Sequence, residues 1–249
     1  MKAVVVGGAG LIGAKVVKIL TDAGHSVIAA SRRNGIDTVT GRGLAEALKG
    51  ADVVIDVSNS PSFEDQAVLE FFSKSSSNIV REAKNAGVGQ VVLLSIVGVD
   101  RLPGNGYFRA KVVQEDIIKN SGVPYTIVRA TQFLEFLDAI AYTSTGSDVV
   151  TVSTAYLQPI AADDVARFVA DASMAQPKNE TIDVAGPEAF RTNEIIKSYL
   201  KGKGDARPVV GDPEAGYFGS KLEADSLIPV GTGAKLGAIT FDGWTRGAA

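Results

Sequence analysis

Cysteine is absent from the chain, which excludes disulfides, thiolate metal sites and cysteine nucleophiles together. Histidine is almost absent: His25 is the single one, so a multi-histidine metal site or a histidine-centred triad would have to be built around one residue. Its place in Asp22-Ala23-Gly24-His25-Ser26 predicts a solvent-exposed loop residue. An excess of positive charge is missing too. Against 28 acidic residues stand 25 basic ones, a formal charge of -3, and the basic residues are dispersed. No polybasic face for nucleic acid or an anionic membrane is expected. No stretch approaches the ~18 apolar residues of a membrane span, and no charged leader precedes a long apolar segment. The expectation is a soluble cytoplasmic protein with a small-molecule substrate and no nucleic-acid or membrane partner.

What is present is an alternation of two patterns. Hydrophobic residues make up 45% of 249, enough for a core of ordinary size. Short β-branched runs at 3–6, 26–30, 53–57 and 90–94 are flanked by Gly, Asp or Asn, as strand ends usually are. None alternates strictly between polar and apolar, which predicts strands covered on both faces, as in a parallel sheet. Between them the spacing predicts helices over 11–23, 44–48 and 64–86. The first carries Leu11, Val16, Ile19 and Leu20 on one face and stops at Gly24; the last carries Val68, Leu69, Phe72, Ile79, Val80 and Ala83, with Gly87 beyond its end. The serine-rich stretch 73–77 reads as a break in that helix or an exposed face of it. Farther on come a helix over 111–119, a strand over 125–128, a helix over 163–172 and a strand over 181–184. Asp163 and Asp164 read as capping residues of the later helix. The order predicts an α/β fold, a doubly wound parallel sheet with right-handed crossovers. Residues 1–130 are expected to form the nucleotide-binding core, and 131–249 to complete it and build a smaller C-terminal substrate lobe.

The strongest local signal is Gly7-Gly8-Ala9-Gly10-Leu11-Ile12-Gly13, which follows the first strand and opens the first helix. Gly7 permits a tight turn, Gly10 lets backbone approach a pyrophosphate, and Gly13 lets the helix sit close on the sheet. The N–H groups of Leu11, Ile12 and Gly13 at the helix start, together with its dipole, favour an anion. The second strand then says which nucleotide. A carboxylate at its end would accept hydrogen bonds from the ribose of NAD; here it ends Ala29-Ala30-Ser31-Arg32-Arg33. Ser31 offers a hydroxyl, and Arg32 and Arg33 offer charge-assisted forks for a 2′-phosphate. Asp37, the nearest acid, lies beyond the strand end. The expected cofactor is therefore NADP(H). Ser58 and Asn59, where the strand 53–57 runs out, lie where such a cofactor would pass.

Ser95 closes the strand at 90–94, and twelve residues later comes Tyr107-Phe108-Arg109-Ala110-Lys111. At helical spacing Tyr107 and Lys111 share a face. A lysine cation near a phenol lowers its pKa, so the phenol can exchange a proton with a carbonyl oxygen as hydride arrives from a nicotinamide. The same lysine can hydrogen-bond the nicotinamide ribose, and Ser95 can orient the substrate oxygen. Gly104-Asn105-Gly106, directly before Tyr107, leaves it in a loop or a first helical turn.

The glycine loop, Ser95, the Tyr107–Lys111 pair, the segment from Val123 to Phe133 and the segment Leu157-Gln158-Pro159-Ile160-Ala161-Ala162-Asp163-Asp164 together resemble an atypical short-chain dehydrogenase/reductase of the NmrA-like, NAD(P)-binding group that includes quinone-reductase-like proteins. The resemblance spans nearly the whole chain. It implies a Rossmann-type core with a small C-terminal substrate lobe, phosphate contacts at Gly7, Gly10 and Gly13, and a 2′-phosphate contact at Arg32. By the same likeness Lys111 matches a retained active-site lysine. Thr131, Gln132 and Phe133, after the strand at 125–128, fall where substrate-side loops leave the sheet, and Phe136, Leu137 and Tyr142 would extend an apolar wall. The acceptor is expected in the cleft between core and lobe. The expected activity is reduction of a small carbonyl, enone or quinone by NADPH; the alternative is a non-catalytic NADP(H) sensor of NmrA type.

Overall fold

The computed structural model describes residues 1–142 and 148–247. In chain order the elements are β1 (Lys2–Val6), α1 (Leu11–Asp22), β2 (Ser26–Ala30), α2 (Leu44–Leu48), β3 (Val53–Asp56), α3 (Asp65–Ala86), β4 (Gln90–Ile96), α4 (Gly106–Lys119) and β5 (Tyr125–Ala130). There follow α5 (Leu137–Tyr142), β6 (Val150–Val152), β7 (Tyr156–Leu157), α6 (Ala162–Met174), β8 (Glu180–Ala185), β9 (Phe190–Arg191), α7 (Thr192–Gly202), β10 (Val209–Gly211), β11 (Lys235–Leu236) and α8 (Phe241–Gly247). The residues fall into two compact units. One holds Met1–Ser95, Gly106–Arg129 and Val165–Ile182; the other holds Ile96–Asn105, Ala130–Asp164 and Asp183–Ala249.

The first unit is a doubly wound α/β layer. Its strands run in the order β8-β5-β4-β3-β1-β2. β1 pairs in parallel with β2 from Lys2↔Ser26 to Val6↔Ala30, and with β3 from Ala3↔Val53 to Val6↔Asp56. Strand order reverses at β1, and in such sheets a ligand binds in the crevice outside the carboxyl ends at this switch point. The absence of polar alternation is explained by the packing: Val4, Val54, Val91, Leu93 and Ile127 of the strands meet Leu44, Leu48, Ile79, Ala83 and Ile118 of the helices.

Two local expectations are corrected. The serine-rich stretch does not break α3, which is continuous through it, and only part of it faces solvent: Lys74 and Ser77 are exposed, whereas Ser75 and Ser76 are fully buried. Ser75 returns its hydroxyl to the Phe72 carbonyl, which satisfies the group inside the helix. In addition, α4 starts at Gly106, five residues before the start expected from sequence. A β-carbon at Gly106 would collide with the Asp65 carboxylate, so glycine there lets the first turn of α4 sit against α3. Arg109 pairs with the same Asp65 at 2.6 Å.

In the second unit β11 extends β8 in parallel through Lys235↔Val184 and Leu236↔Ala185. β6 pairs in parallel with β10, and β7 antiparallel with β9. At the start of α6 it is Asp164 that departs from the expected capping. The backbone N–H of Ala162 donates to the Glu135 carboxylate, 3.1 Å to each oxygen, while Asp164 accepts from the N–H groups of Ala238 and Ile239 at 2.9 Å each. Asp164 therefore anchors a distant backbone turn, a role that local spacing does not reveal. Among the described residues no helix is long and apolar enough to cross a membrane, and no cluster of three or more metal-ligating side chains occurs.

Candidate cofactor and active site

The glycine turn leaves β1 with Gly7 at φ +79°, a left-handed conformation that a side chain resists. Space is as tight as the dihedral. A β-carbon at Gly7 would come within 2.9 Å of the Ser58 backbone, and one at Gly8 within 2.8 Å of Ala29. At Gly13 it would strike the carbonyl oxygen of Gly7, so the close approach it permits is onto the turn that leaves β1. Gly10 is the extended N-cap of α1, and no side chain caps that end. First-turn N–H groups have no partner within a helix, so those of Leu11, Ile12 and Gly13 suit an anion. This cradle fits the phosphates of a dinucleotide.

Beyond β2 the chain enters a short 3₁₀ turn, Arg32–Asn34. The Ser31 hydroxyl donates to Asn34 Oδ1 at 3.1 Å, and Asn34 donates to the Ala29 carbonyl at 2.7 Å. Arg32 and Arg33 are exposed, and among the described residues no side-chain hydrogen bond or ion pair engages either guanidinium. Asp37 accepts from the N–H groups of Val39 and Thr40, so the nearest carboxylate is committed to its own loop.

Tyr107 lies in the first turn of α4 and donates to Asn59 Oδ1 at 2.8 Å. Its ring packs edge-on against Phe72 at 5.8 Å and lies 5.7 Å from Phe63, tilted by 41°. Burial pushes the phenol above its ordinary pKa, opposite to the lowering expected from a neighbouring lysine. The lysine is occupied elsewhere. Lys111, 3% exposed, donates to the Leu94 carbonyl at 2.8 Å and to Gln114 Oε1 at 2.5 Å, with its Nζ 4.8 Å from the centre of the Phe72 ring. Burial brings its ammonium down to about 8, against the opposing charges of Asp56 and Glu115. Gln114 in turn donates to Asp56 at 3.0 Å.

Ser95 is not brought to Tyr107. Its hydroxyl donates to Glu115 at 2.6 Å, and Glu115 is eight residues past Tyr107, about 12 Å along α4 at ~1.5 Å per residue. Ser95→Ala is accordingly expected to lower stability by about 1–2 kcal/mol, the loss of a buried hydrogen bond, and to leave NADPH affinity within about twofold of wild type. Thermal melting and a fluorescence titration measure the two; unchanged stability with a collapse of turnover would return Ser95 to the chemistry.

In the second unit Thr131 donates its hydroxyl to the Gln158 carbonyl at 2.6 Å, and Phe133 stacks on Phe136, centroids 5.4 Å apart at 17°. Gln132 is buried, and its Oε1 has no donor among the described residues. A buried acceptor of this kind is costly unless a ligand or water supplies the proton. His25 is half-buried beside the amino terminus, 3.5 Å from it. A cavity of about 330 Å³ lined by Met1, Asp52, Gly89 and Gln90 lies at the other, amino-terminal edge of the strands and holds neither the glycine turn nor Lys111.

Four residues of the first unit were not singled out from sequence: Gly8, Asp56, Phe63 and Gln114. Gly8 and Phe63 had local signals, a second glycine in the turn and an aromatic in the polar loop Ser60-Pro61-Ser62-Phe63-Glu64 just past β3; Phe63 is 69% exposed. Asp56 and Gln114 had none, since their meaning lies in each other.

A strand, a glycine turn and an uncapped helix at the switch point of a doubly wound sheet define a Rossmann-type dinucleotide-binding protein. The chain belongs to the NAD(P)H-binding family, whose model matches residues 7–176, and NAD(P)H is its cofactor. It is 26% identical over 221 residues to the photosystem II assembly factor Ycf39 of Synechocystis, covering 79% of this chain and 66% of that one. It is 30% identical over 143 residues to the (4-alkanoyl-5-oxo-2,5-dihydrofuran-3-yl)methyl phosphate reductase of Streptomyces griseus, covering 52% and 47%. The chain thus spans about two thirds and about half of these relatives' lengths. The fold is also that of a dTDP-4-dehydrorhamnose reductase from Clostridium acetobutylicum, with a TM-score of 0.73, 17% identity, and 89% and 88% of the two chains covered.

Proposed function

We propose that this protein is an NADPH-dependent reductase of a small carbonyl, enone or quinone acceptor, an atypical short-chain dehydrogenase/reductase of NmrA-like type. The observation that carries the reading is the buried Lys111 ammonium in the same unit as the glycine turn, donating to the Leu94 carbonyl and to Gln114 Oε1 with a third proton to spare. When bound, the nicotinamide supplies a hydride. Gly7, Gly10 and the first-turn N–H groups of α1 hold the pyrophosphate, Arg32 with Ser31 and Arg33 holds the 2′-phosphate, and Ser58 and Asn59 flank the path between. Lys111 orients the nicotinamide ribose. Tyr107 or solvent gives a proton to the acceptor oxygen; burial, which raises the phenol's pKa, makes Tyr107 a weaker acid than a free phenol. Phe63 beside Tyr107 forms an apolar wall, and Thr131, Gln132 and Phe133 contact the substrate from the segment after β5, in the part of the chain, 131–249, proposed to supply the substrate lobe.

The relative from Streptomyces griseus, a reductase, supports reduction; the solved structures of this fold include epimerases as well as reductases. The dTDP-4-dehydrorhamnose reductase adds a keto-sugar nucleotide to the acceptors worth testing. Turnover is measured by loss of NADPH absorbance over a panel of aldehydes, enones, quinones and a dTDP-4-keto sugar. Tyr107→Phe is expected to slow carbonyl reduction by at least about a hundredfold, the range of general acid catalysis. Quinone reduction should change by less than about threefold, because a quinone takes hydride readily and water can protonate the product. Equal retention of both rates removes the phenol from the mechanism.

A second reading, a non-catalytic NADP(H)-responsive regulator, draws on two observations. Tyr107 and Ser95 are engaged with Asn59 and Glu115 and not with each other, and one relative is an assembly factor. Tight NADPH binding with no absorbance change across the whole panel would favour it.

A further inference from the structure

The chain of buried hydrogen bonds behind Lys111 has a direction built into it. Asp56 closes β3, and three donors converge on its carboxylate. The Ser58 backbone N–H at 3.0 Å and the Ser58 hydroxyl at 2.6 Å reach Oδ1, while Gln114 Nε2 reaches Oδ2 at 3.0 Å. Asp56 therefore serves only as acceptor, and Gln114 must turn its NH₂ toward it. That leaves the Gln114 carbonyl oxygen facing Lys111, which donates to it at 2.5 Å and to the Leu94 carbonyl at 2.8 Å. An ammonium has three protons, and these acceptors take two. The same Ser58 that anchors Asp56 lies under the glycine turn, where a β-carbon on Gly7 would come within 2.9 Å of it.

We propose that Gln114, aimed by Asp56, is the positioning residue of Lys111, fixing the ammonium beside the end of β4 with one proton free for the cofactor ribose. The inference rests on the reading of Lys111 as a cofactor contact. The amide accounts for a feature that a direct carboxylate–lysine pair would not allow. It transmits direction while keeping the Asp56 charge one residue away, so the lysine is oriented without being locked into an ion pair. The groups facing Lys111 are Asp56 from β3, the Leu94 carbonyl from β4, the Phe72 ring from α3, and Gln114 and Glu115 from α4 itself.

NADPH affinity is measured by fluorescence titration for wild type, Lys111→Ala, Gln114→Met and the double variant. Loss of a hydrogen bond to a charged group corresponds to about tenfold, and that is the expected weakening for Lys111→Ala, with Gln114→Met close behind. The double variant should be no weaker than Lys111→Ala, since residues acting through one another are not additive. Gln114→Met binding like wild type, or losses that multiply in the double variant, overturns the proposal. If Lys111→Ala itself binds like wild type, the cofactor role of Lys111 fails and the positioning role fails with it, a distinguishable result. Gln114→Met also takes an acceptor from the ammonium, so the pH above which NADPH binding weakens should fall by about one unit relative to wild type; an unmoved profile counts against the assignment.

Discussion

Glu115→Ala is expected to cost about 3–5 kcal/mol of folding stability, the range for stripping one partner from a buried ion pair. The residue is 1% exposed. It accepts from the Ser95 hydroxyl at 2.6 Å, from Arg129 Nε and Nη2 at 2.8 Å each, and from Lys119 at 2.9 Å. Alanine would leave the Arg129 guanidinium, which is mostly buried, without its bidentate partner. At roughly 2–4 °C per kcal/mol for a chain of this size, the melting temperature should fall by about 6–20 °C; a fall of less than about 2 °C would rule out the network as a structural centre. pH supplies a second reading. Burial alone would raise the Glu115 pKa, but Arg129, Ser95 and Lys119 outweigh it and hold the carboxyl below its ordinary 4.5. A depressed carboxylate adds stability that is complete above its unfolded value and is lost as pH falls through the folded one. Wild type should therefore lose stability below about pH 4.5 more steeply than Glu115→Gln, which cannot titrate there.

Arg32→Ala is expected to weaken NADPH binding by about ten- to a hundredfold, the worth of charge-assisted hydrogen bonds to a phosphate, with NADH affinity changing by less than about twofold. The prediction rests on what surrounds the end of β2. Arg32 and Arg33 project from a 3₁₀ turn with no partner among the described residues, while Asp37 is held by its own loop. A 2′-phosphate would meet uncommitted cations and no carboxylate. The preference should also shrink with rising salt, because both guanidiniums are exposed. Calorimetric titration with the two nucleotides measures it, and equal losses for NADPH and NADH would sink the 2′-phosphate assignment.

Much of the fold was legible in the sequence because its causes are local. Strands buried on both faces show as unbroken β-branched runs, helices as a 3.6-residue stripe, and a left-handed turn at Gly7 as the residue type that tolerates it. The doubly wound order and the NAD(P)H-binding family follow from those short-range constraints. The Tyr107–Lys111 pair was legible as a spacing, but spacing says only that two side chains share a helix face. Folding decided the rest by bringing remote residues within hydrogen-bond reach: Gln114 to Asp56 across 58 positions, Ser95 to Glu115 across 20, and Asp164 to the turn at Ala238 across 74. Buried polar groups must find partners, and which partner is nearest is a property of packed elements, not of neighbours in the chain. The residue types proposed for the site were thus written in the sequence, while the engagement of Tyr107 with Asn59, of Lys111 with Gln114 and of Ser95 with Glu115 was settled only when helix α4 packed against the sheet.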